Sequence, residues 1–234
     1  MTVLRFKGID FSFDDMLANV RRKNGGREIS EEMAAAAAEA YREGMKVLAL
    51  RSSVEAYSVV ECGGGYVSLE GCCAAGKLFM GESAGWLAPA AEAVVVLSTA
   101  GCGITALMDK YAASGDYLTM YYIDAFGVQA LGEISAKARA YVETSAADRG
   151  WGIGPSMQPG SSEGWNVEGQ RDLFRLGRGE GIGLSINDSS FLVPHISNST
   201  LIGIGPHYSA ATPQSMCGEC PRFADCLWRK ENIR

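Results

Sequence analysis

The pattern of apolar and polar positions in the first half of the chain predicts one helix followed by several strands. Ser30 precedes EEMAAAAAEAYREGM, where glutamates occupy the first turn, so a helix capped by Ser30 is predicted. Residues 46–61 and 66–69 alternate between apolar and polar side chains, which predicts strands. Residues 91–97 form a short β-branched run, which predicts a buried strand.

The second half of the chain begins with two predicted helices. The first covers residues 104–113, and the second begins after Asp116, a good N-cap, and continues to about residue 146. Gly127 and Gly132 lie inside the longer helix and are expected to mark close packing against another element.

A glycine-, proline- and serine-rich segment, residues 150–166, separates these helices from the remaining elements. A helix is predicted in VEGQRDLFRL, and strands are predicted at residues 182–186 and 200–204. This mixture predicts one α/β (α+β) domain at residues 1–208, followed by a cysteine-rich tail at residues 209–234.

Composition and charge narrow the function classes. The 234 residues are 47% hydrophobic and carry a formal net charge of −6, which argues against a nucleic-acid or anionic-membrane partner. The amino terminus lacks an apolar signal region, and no apolar run is long enough to span a bilayer, so a cytoplasmic location is expected. Seven cysteines without an export signal indicate thiols used as ligands or core residues.

The tail carries the strongest chemical signal of the sequence, since Cys217, Cys220 and Cys226 follow a C-x2-C-x5-C spacing. Three close thiols are typical of a zinc site or an iron–sulfur cluster, for example of the 4Fe–4S type, and both centres normally take four ligands. The candidates for the fourth ligand are Cys62, Cys72, Cys73, Cys102 and His207.

Two glycine-rich motifs are close to nucleotide-binding fingerprints without matching them. Residues 101–106 have the form G-x-G-x-x-A after an apolar strand, but no strand–helix series surrounds them, so tight strand-to-helix packing is the better interpretation. Residues 71–77 match a phosphate loop up to Lys77, but Leu78 stands where serine or threonine would hold magnesium.

Three blocks of the sequence, 93–127, 154–176 and 181–205, resemble in order the standalone proteins related to the activation domain of cobalamin-dependent methionine synthase. The first block contains the family's T-x-G turn and the start of its long helix, at Thr99, Gly101, Asp116, Tyr117, Leu118, Asp124, Ala125 and Gly127. The resemblance implies a twisted antiparallel sheet with flanking helices.

In methionine synthase, the domain binds S-adenosylmethionine through an R-x-S-P-G-Y loop and docks on the cobalamin module during reductive reactivation. The resemblance places that loop here at residues 156–161, with Ser156 in place of the arginine and Ser161 in place of the tyrosine. The predicted cofactor-binding residues are Ser156, Met157, Gln158, Pro159, Gly160, Ser161, Glu163 and Trp165. Hydroxyl groups, one charge and the stacking face of Trp165 would replace the missing contacts.

The first functional hypothesis is an accessory protein that helps reductively activate, or handle, the corrinoid cofactor of a methyltransferase. Its partner would be a corrinoid protein or a corrinoid-dependent methyltransferase, and the tail would hold an iron–sulfur cluster as electron relay. The alternatives are a non-catalytic module that binds cobalamin, a corrinoid protein or S-adenosylmethionine and carries structural zinc, and a methyltransferase in its own right.

Overall fold

The computed structural model describes residues 1–72, 74–209, 212 and 213. The strands are β1 (Thr2–Arg5), β2 (Arg51–Gly63), β3 (Tyr66–Glu70), β4 (Ala75–Phe79), β5 (Glu92–Thr99), β6 (Gly152–Met157), β7 (Ser185–Ile186), β8 (Leu192–Val193) and β9 (Ser197–Gly205). The helices are α1 (Phe13–Lys23), α2 (Glu31–Val47), α3 (Cys102–Ala113), α4 (Tyr117–Ala147) and α5 (Gln170–Leu176). Short 3₁₀ segments occur at Gly81–Leu87, Val167–Gly169 and Gly179–Ile182.

Seven strands form one antiparallel sheet, in the order β4-β3-β2-β5-β9-β6, with β1 paired to the first part of β2. β7 and β8 form a separate two-stranded sheet. Helices lie on both faces of the large sheet. The predicted α/β class, an antiparallel sheet with flanking helices, is therefore confirmed.

One face of the large sheet is mainly apolar, although Ser53 and Ser199 also lie on it and donate to the Gly177 carbonyl and to Gln170. It carries Ala93, Val95 and Leu97 of β5, which pack with residues of α5 and of the Gly81–Leu87 segment. Tyr57 fastens α5 to this face, since its hydroxyl donates to the Leu176 carbonyl at 2.6 Å.

α4 covers the opposite face, and α1, α2 and α3 pack around it. The amino-terminal half of α4 meets α2 and α3 in one apolar cluster that includes Phe126 and Ile134. Its carboxy-terminal half packs Ala138 and Val142 on valines and isoleucines of the sheet in a second cluster. Between these two clusters, a cavity lined by both polar and aliphatic side chains separates part of the sheet from α4.

Local signals account for the helix starts. Ser30 caps α2 by accepting from the Met33 amide at 3.2 Å, and Asp116 caps α4 by accepting from the Thr119 amide at 2.9 Å. Both caps were predicted, and both are confirmed. Gly101 has φ +89° at the start of α3, and a Cβ on Gly103 would lie 2.5 Å from the Val47 carbonyl oxygen. This confirms tight strand-to-helix packing at residues 101–106.

Some predicted boundaries are wrong. Residues 46 and 47 belong to α2, because its helical pattern continues beyond the predicted end, and β2 begins only at Arg51. In the segment 182–186 only Ser185–Ile186 is a strand, since a 3₁₀ segment ends at Ile182 and Gly183 takes φ +84°.

The two glycines of α4 differ. A Cβ on Gly127 would lie 2.9 Å from Ile104 Cγ2, so the predicted close packing is confirmed there. For Gly132 the prediction is wrong, because a Cβ would meet nothing within 4 Å.

Within the described part of the chain, no helix is both long and apolar enough to cross a membrane. The division into residues 1–208 and 209–234 stays a prediction, because nearly all of the tail lies outside the described residues.

Candidate functional site

A cavity of about 540 Å³ lies between α4 and the inner face of β5, β9 and β6, with α1 along one side. This volume falls in the usual range for small-molecule sites, roughly 300–1,000 Å³. Its lining combines hydroxyl, amide and guanidinium groups with a few aliphatic side chains. The cavity is therefore the main candidate for a binding site in the described structure.

The sheet supplies a polar floor to this cavity. On β9, Ile202 faces α4 as part of an apolar cluster, whereas Asn198 and Thr200, further back on the same face, line the cavity. β5 changes in the same way, because Val94 and Val96 are followed by Ser98, which is paired in register with Asn198. The inner sheet face is thus apolar at one end and polar at the other.

Arg139 projects from α4 into this polar region. Its guanidinium donates to Ser156 Oγ at 2.8 Å and to the Gly154 carbonyl at 3.2 Å. Burial lowers the pKa of Arg139, and the charge of Glu143, an exposed residue one turn further along α4, opposes that shift. Among the described residues no carboxylate forms an ion pair with Arg139.

α1 provides the third wall, which includes Asn19, Arg22 and Lys23. A capping box fixes the start of this helix, in which Ser12 Oγ accepts from the Asp15 amide and Asp15 accepts from the Ser12 amide. Near its end, Asn19 Nδ2 donates to Gln129 Oε1 of α4 at 3.0 Å. This bond ties the α1 wall to the α4 wall.

Lys23, at the edge of the cavity, has a lowered pKa. Burial is the largest cause that lowers its pKa to about 8, and the neighbouring Arg22 charge lowers it further, while Asp124 opposes both. Lys23 therefore changes its charge close to physiological pH.

The charge of the cavity has one sign. Of the described residues that line it, Arg22, Lys23 and Arg139 are basic, and none is acidic. The acidic residues of α4 nearby have other contacts: Glu133 accepts from the Asp10 amide at 2.9 Å and pairs with Lys137 at 2.6 Å.

The predicted loop divides between the cavity and the opposite core. Ser156 and Gln158 line the cavity, and Gln158 Nε2 lies 3.4 Å from Thr200 Oγ1. Met157 points into the apolar cluster on the other face and is fully buried. This alternation follows from the strand character of β6.

The remainder of the loop turns away from the cavity. Pro159 is buried, Gly160 adopts φ +76°, and Ser161 and Glu163 are exposed. The Glu163 carbonyl accepts from Ser83 Oγ at 2.6 Å, which fixes the loop to the Gly81–Leu87 segment.

Trp165 lies in the core, with 2% of its surface exposed, and its indole nitrogen has no hydrogen-bond partner among the described residues. Its rings are covered by protein, so the stacking face expected from the sequence is not presented to a ligand in this structure. A binding role for the predicted loop residues stays a prediction, and the geometry favours Ser156 and Gln158 among them.

No protein-family model matches the sequence, and no curated protein matches it either. The structure, however, is similar to a crystal structure of the MetH reactivation domain bound to AdoHcy. The TM-score is 0.55 at 11% sequence identity, over 89% of this chain and 80% of that chain. This chain has the fold of the MetH reactivation domain.

The reactivation-domain fold confirms the architecture that the three sequence blocks implied. At 11% identity, the similarity establishes the fold alone. What the residues of this chain do must therefore be argued from their own geometry.

The cysteines predicted to bind metal are only partly described. Cys217, Cys220, Cys226 and Cys73 lie outside the described residues. Of the candidate fourth ligands, Cys72, Cys102 and His207 are exposed on the reactivation-domain fold. Cys62 is half-buried, donates to the Ala84 carbonyl at 3.2 Å, and has a pKa raised by burial.

The described residues contain no group of three or more histidine, cysteine, aspartate or glutamate side chains that could hold a metal ion. The metal site in the tail, and the identity of its fourth ligand, stay predictions.

Sequence reasoning missed Arg139 and the residues of α1 as parts of a site. A signal for Arg139 exists, because Gly132, Ser135 and Arg139 recur at helical spacing and form a small and polar stripe on a largely buried helix. The signal for α1 is the S-x-x-D capping box before an amphipathic segment.

A histidine–carboxylate pair was also missed. The His195 side chain is 64% exposed, and Nε2 lies 3.3 Å from Asp124 Oδ1. The ring's exposure comes from its place after β8, where the chain turns back toward β9.

Proposed function

We propose that this chain is an accessory protein for corrinoid-dependent methyl transfer, which assists the reductive activation or the handling of a methyltransferase's corrinoid cofactor. The observation that carries the proposal is the similarity to the MetH reactivation domain over 89% of the chain. The expected partner is a corrinoid protein or a corrinoid-dependent methyltransferase.

The cavity supports a retained ligand site on this fold. The resemblance places an arginine at position 156, where this chain has serine. Arg139 brings a guanidinium to that position from α4, at 2.8 Å from Ser156 Oγ. A cationic group therefore lies beside the loop, although α4 supplies it and the loop itself does not.

A second candidate function is the binding, without catalysis, of S-adenosylmethionine or its demethylated product. The bound AdoHcy of the similar crystal structure favours it.

The tail would supply the electron. Cys217, Cys220 and Cys226 are proposed to hold an iron–sulfur cluster, which when bound provides an electron donor of low potential. Zinc is the alternative occupant, and it would only stabilise the tail because zinc has no redox chemistry.

Reconstitution with a cobalamin-dependent methionine synthase that lacks its own reactivation domain tests the proposed function. Under anaerobic conditions with dithionite, the chain should bind that fragment and accelerate the disappearance of the cob(II)alamin EPR signal. If the chain neither binds the fragment nor changes the cob(II)alamin signal, the accessory role is wrong.

Cys220→Ser tests the tail separately. We expect the variant to lose its iron while its far-UV circular dichroism stays that of the wild type. Cys102→Ser, at an exposed candidate for the fourth ligand on α3, is measured beside it, and loss of iron from that variant as well would assign Cys102 to the metal site. If the wild-type protein is colourless and contains zinc after anaerobic purification, the tail holds structural zinc and not an iron–sulfur cluster.

A further inference from the structure

The cavity contains a polar surface where the packing of the fold calls for an apolar one. Val94, Val96 and Ile202 face α4 and pack in an apolar cluster, but Ser98, Asn198 and Thr200 continue the same strands with polar groups. These groups have protein partners: Ser98 bonds to Ser52 at 2.7 Å, Asn198 donates to Ser135 at 2.9 Å, and Thr200 lies 3.4 Å from Gln158 Nε2. The side chains are thus held in place along the cavity wall, and a few positioned polar groups are typical of a ligand-binding surface.

Arg139 is the group in this cavity that most needs an anion. A guanidinium has five N–H donors, and the acceptors that Arg139 has among the described residues are one hydroxyl and one carbonyl. A partly buried charge is normally compensated by an opposite charge. The described lining contains no such charge.

Gly132 gives a second, independent observation. It lies in the middle of α4 and lines the cavity, yet a Cβ at this position would meet nothing within 4 Å. Glycine inside a helix costs about 0.5–1 kcal/mol relative to alanine. Here protein packing does not require it, and Gly132 is exposed, which leaves the helix backbone at the cavity accessible to a ligand.

We propose that this cavity binds a small organic anion, whose carboxylate or phosphate group lies against Arg139, Ser156 and Gln158, and whose uncharged part extends past Gly132. The cavity should accordingly reject ligands with net positive charge. The inference depends on the cavity alone and holds whether or not the chain serves a corrinoid protein.

Charge separates this ligand class from S-adenosylmethionine. The sulfonium and amino groups of that molecule outweigh its carboxylate, so its net charge is positive. Neither cationic group would meet a carboxylate among the described lining residues. Adenosine monophosphate has the same adenosine part with a negative group in place of the sulfonium chain.

Binding of adenosine, adenosine monophosphate, AdoHcy, S-adenosylmethionine and inorganic pyrophosphate to the full chain tests the proposal. Calorimetry or NMR titration at low millimolar ligand concentration measures each affinity. We expect adenosine monophosphate or pyrophosphate to bind at least about tenfold more tightly than adenosine and S-adenosylmethionine, since charge-assisted hydrogen bonds are worth about twice neutral ones.

Two variants locate the binding. Arg139→Gln removes the charge and should weaken anion binding about 10- to 100-fold, the range expected for hydrogen bonds to a charged group. Gly132→Leu places a bulky side chain at the cavity and should abolish binding. The matched controls are Arg149→Gln, which removes an arginine paired with Glu92 outside the cavity, and Gly85→Leu, at an exposed glycine whose Cβ also meets nothing.

Three results would overturn the proposal. The first is failure of both anions to bind at millimolar concentration, and the second is tighter binding of S-adenosylmethionine than of either anion. The third is anion binding that survives unchanged in both cavity variants. Loss of corrinoid activity with anion binding intact would contradict the proposed function and leave this inference in place.

Discussion

The same substitution at two glycines of α4 should change stability in opposite directions. Gly127 and Gly132 are five residues apart on one helix and are both replaced by alanine. Alanine is the better helix former by roughly 0.8–1.0 kcal/mol, and this gain applies to both positions. The environment of the added methyl group is what differs.

At Gly132 the methyl group would enter open space, so the full gain in helix propensity should appear as added stability. At Gly127 it would lie 2.9 Å from Ile104 Cγ2 and 3.1 Å from Ile196 Cγ1, which belong to side chains packed in the core. Overpacking of this kind costs typically about 1–3 kcal/mol. The net change at Gly127 is thus a loss of up to about 2 kcal/mol.

Because the propensity gain cancels between the two variants, the difference in their unfolding free energies isolates the overpacking cost at Gly127. Urea denaturation followed by circular dichroism measures this difference, provided that the slope of the transition is unchanged. Gly127→Ala protein that is as stable as Gly132→Ala protein would refute the assignment of Gly127 to close packing.

Three further outcomes are expected. Binding of adenosine monophosphate should weaken as pH rises through about 8, because Lys23 is cationic below its lowered pKa and neutral above it. In titrations, the Lys23→Met variant should bind less tightly below pH 8 and show no such step. A step that is unchanged in the variant would assign the pH dependence to another group. Ser12→Ala should destabilise the protein by about 0.5–2 kcal/mol through loss of the α1 cap, measured in urea, and an unaltered midpoint would contradict the capping box. Tyr57→Phe should cost about 1–3 kcal/mol, since the buried Leu176 carbonyl loses its 2.6 Å donor, and Tyr66→Phe at an exposed hydroxyl is the control expected to stay within a few tenths.

Elements with strong local signals could be predicted from the sequence. Ser30 and Asp116 mark the starts of α2 and α4 through their own hydrogen bonds, and the β-branched run of β5 indicates a buried strand. The strands that were not predicted are short or glycine-rich. β6, for example, has the sequence GIGPSM and lies at the sheet edge, where proline is tolerated and alternation is weak.

The candidate site could be predicted only in part. The resemblance located the loop, and Ser156 and Gln158 of that loop do line the cavity. The other walls come from distant parts of the sequence. Residues 19–23 reach the cavity because α1 packs on α4, and residues 198–200 reach it through the pairing of β9 with β5 and β6. Nothing in local periodicity encodes such a meeting, so Arg139 and Lys23 could not be assigned to one site beforehand.

The unequal character of the two sheet faces has an evolutionary consequence. One face packs on α5 through Ala93, Val95 and Leu97. The other face carries Ser98, Asn198 and Thr200 at the cavity, and these residues take no part in that packing. Substitutions at half-buried lining residues such as Asn198 and Gln158 can alter selectivity at a smaller cost to folding than substitutions at the fully buried Ser98. One scaffold could therefore acquire new small-molecule preferences by drift within a handful of codons, long before its architecture changes.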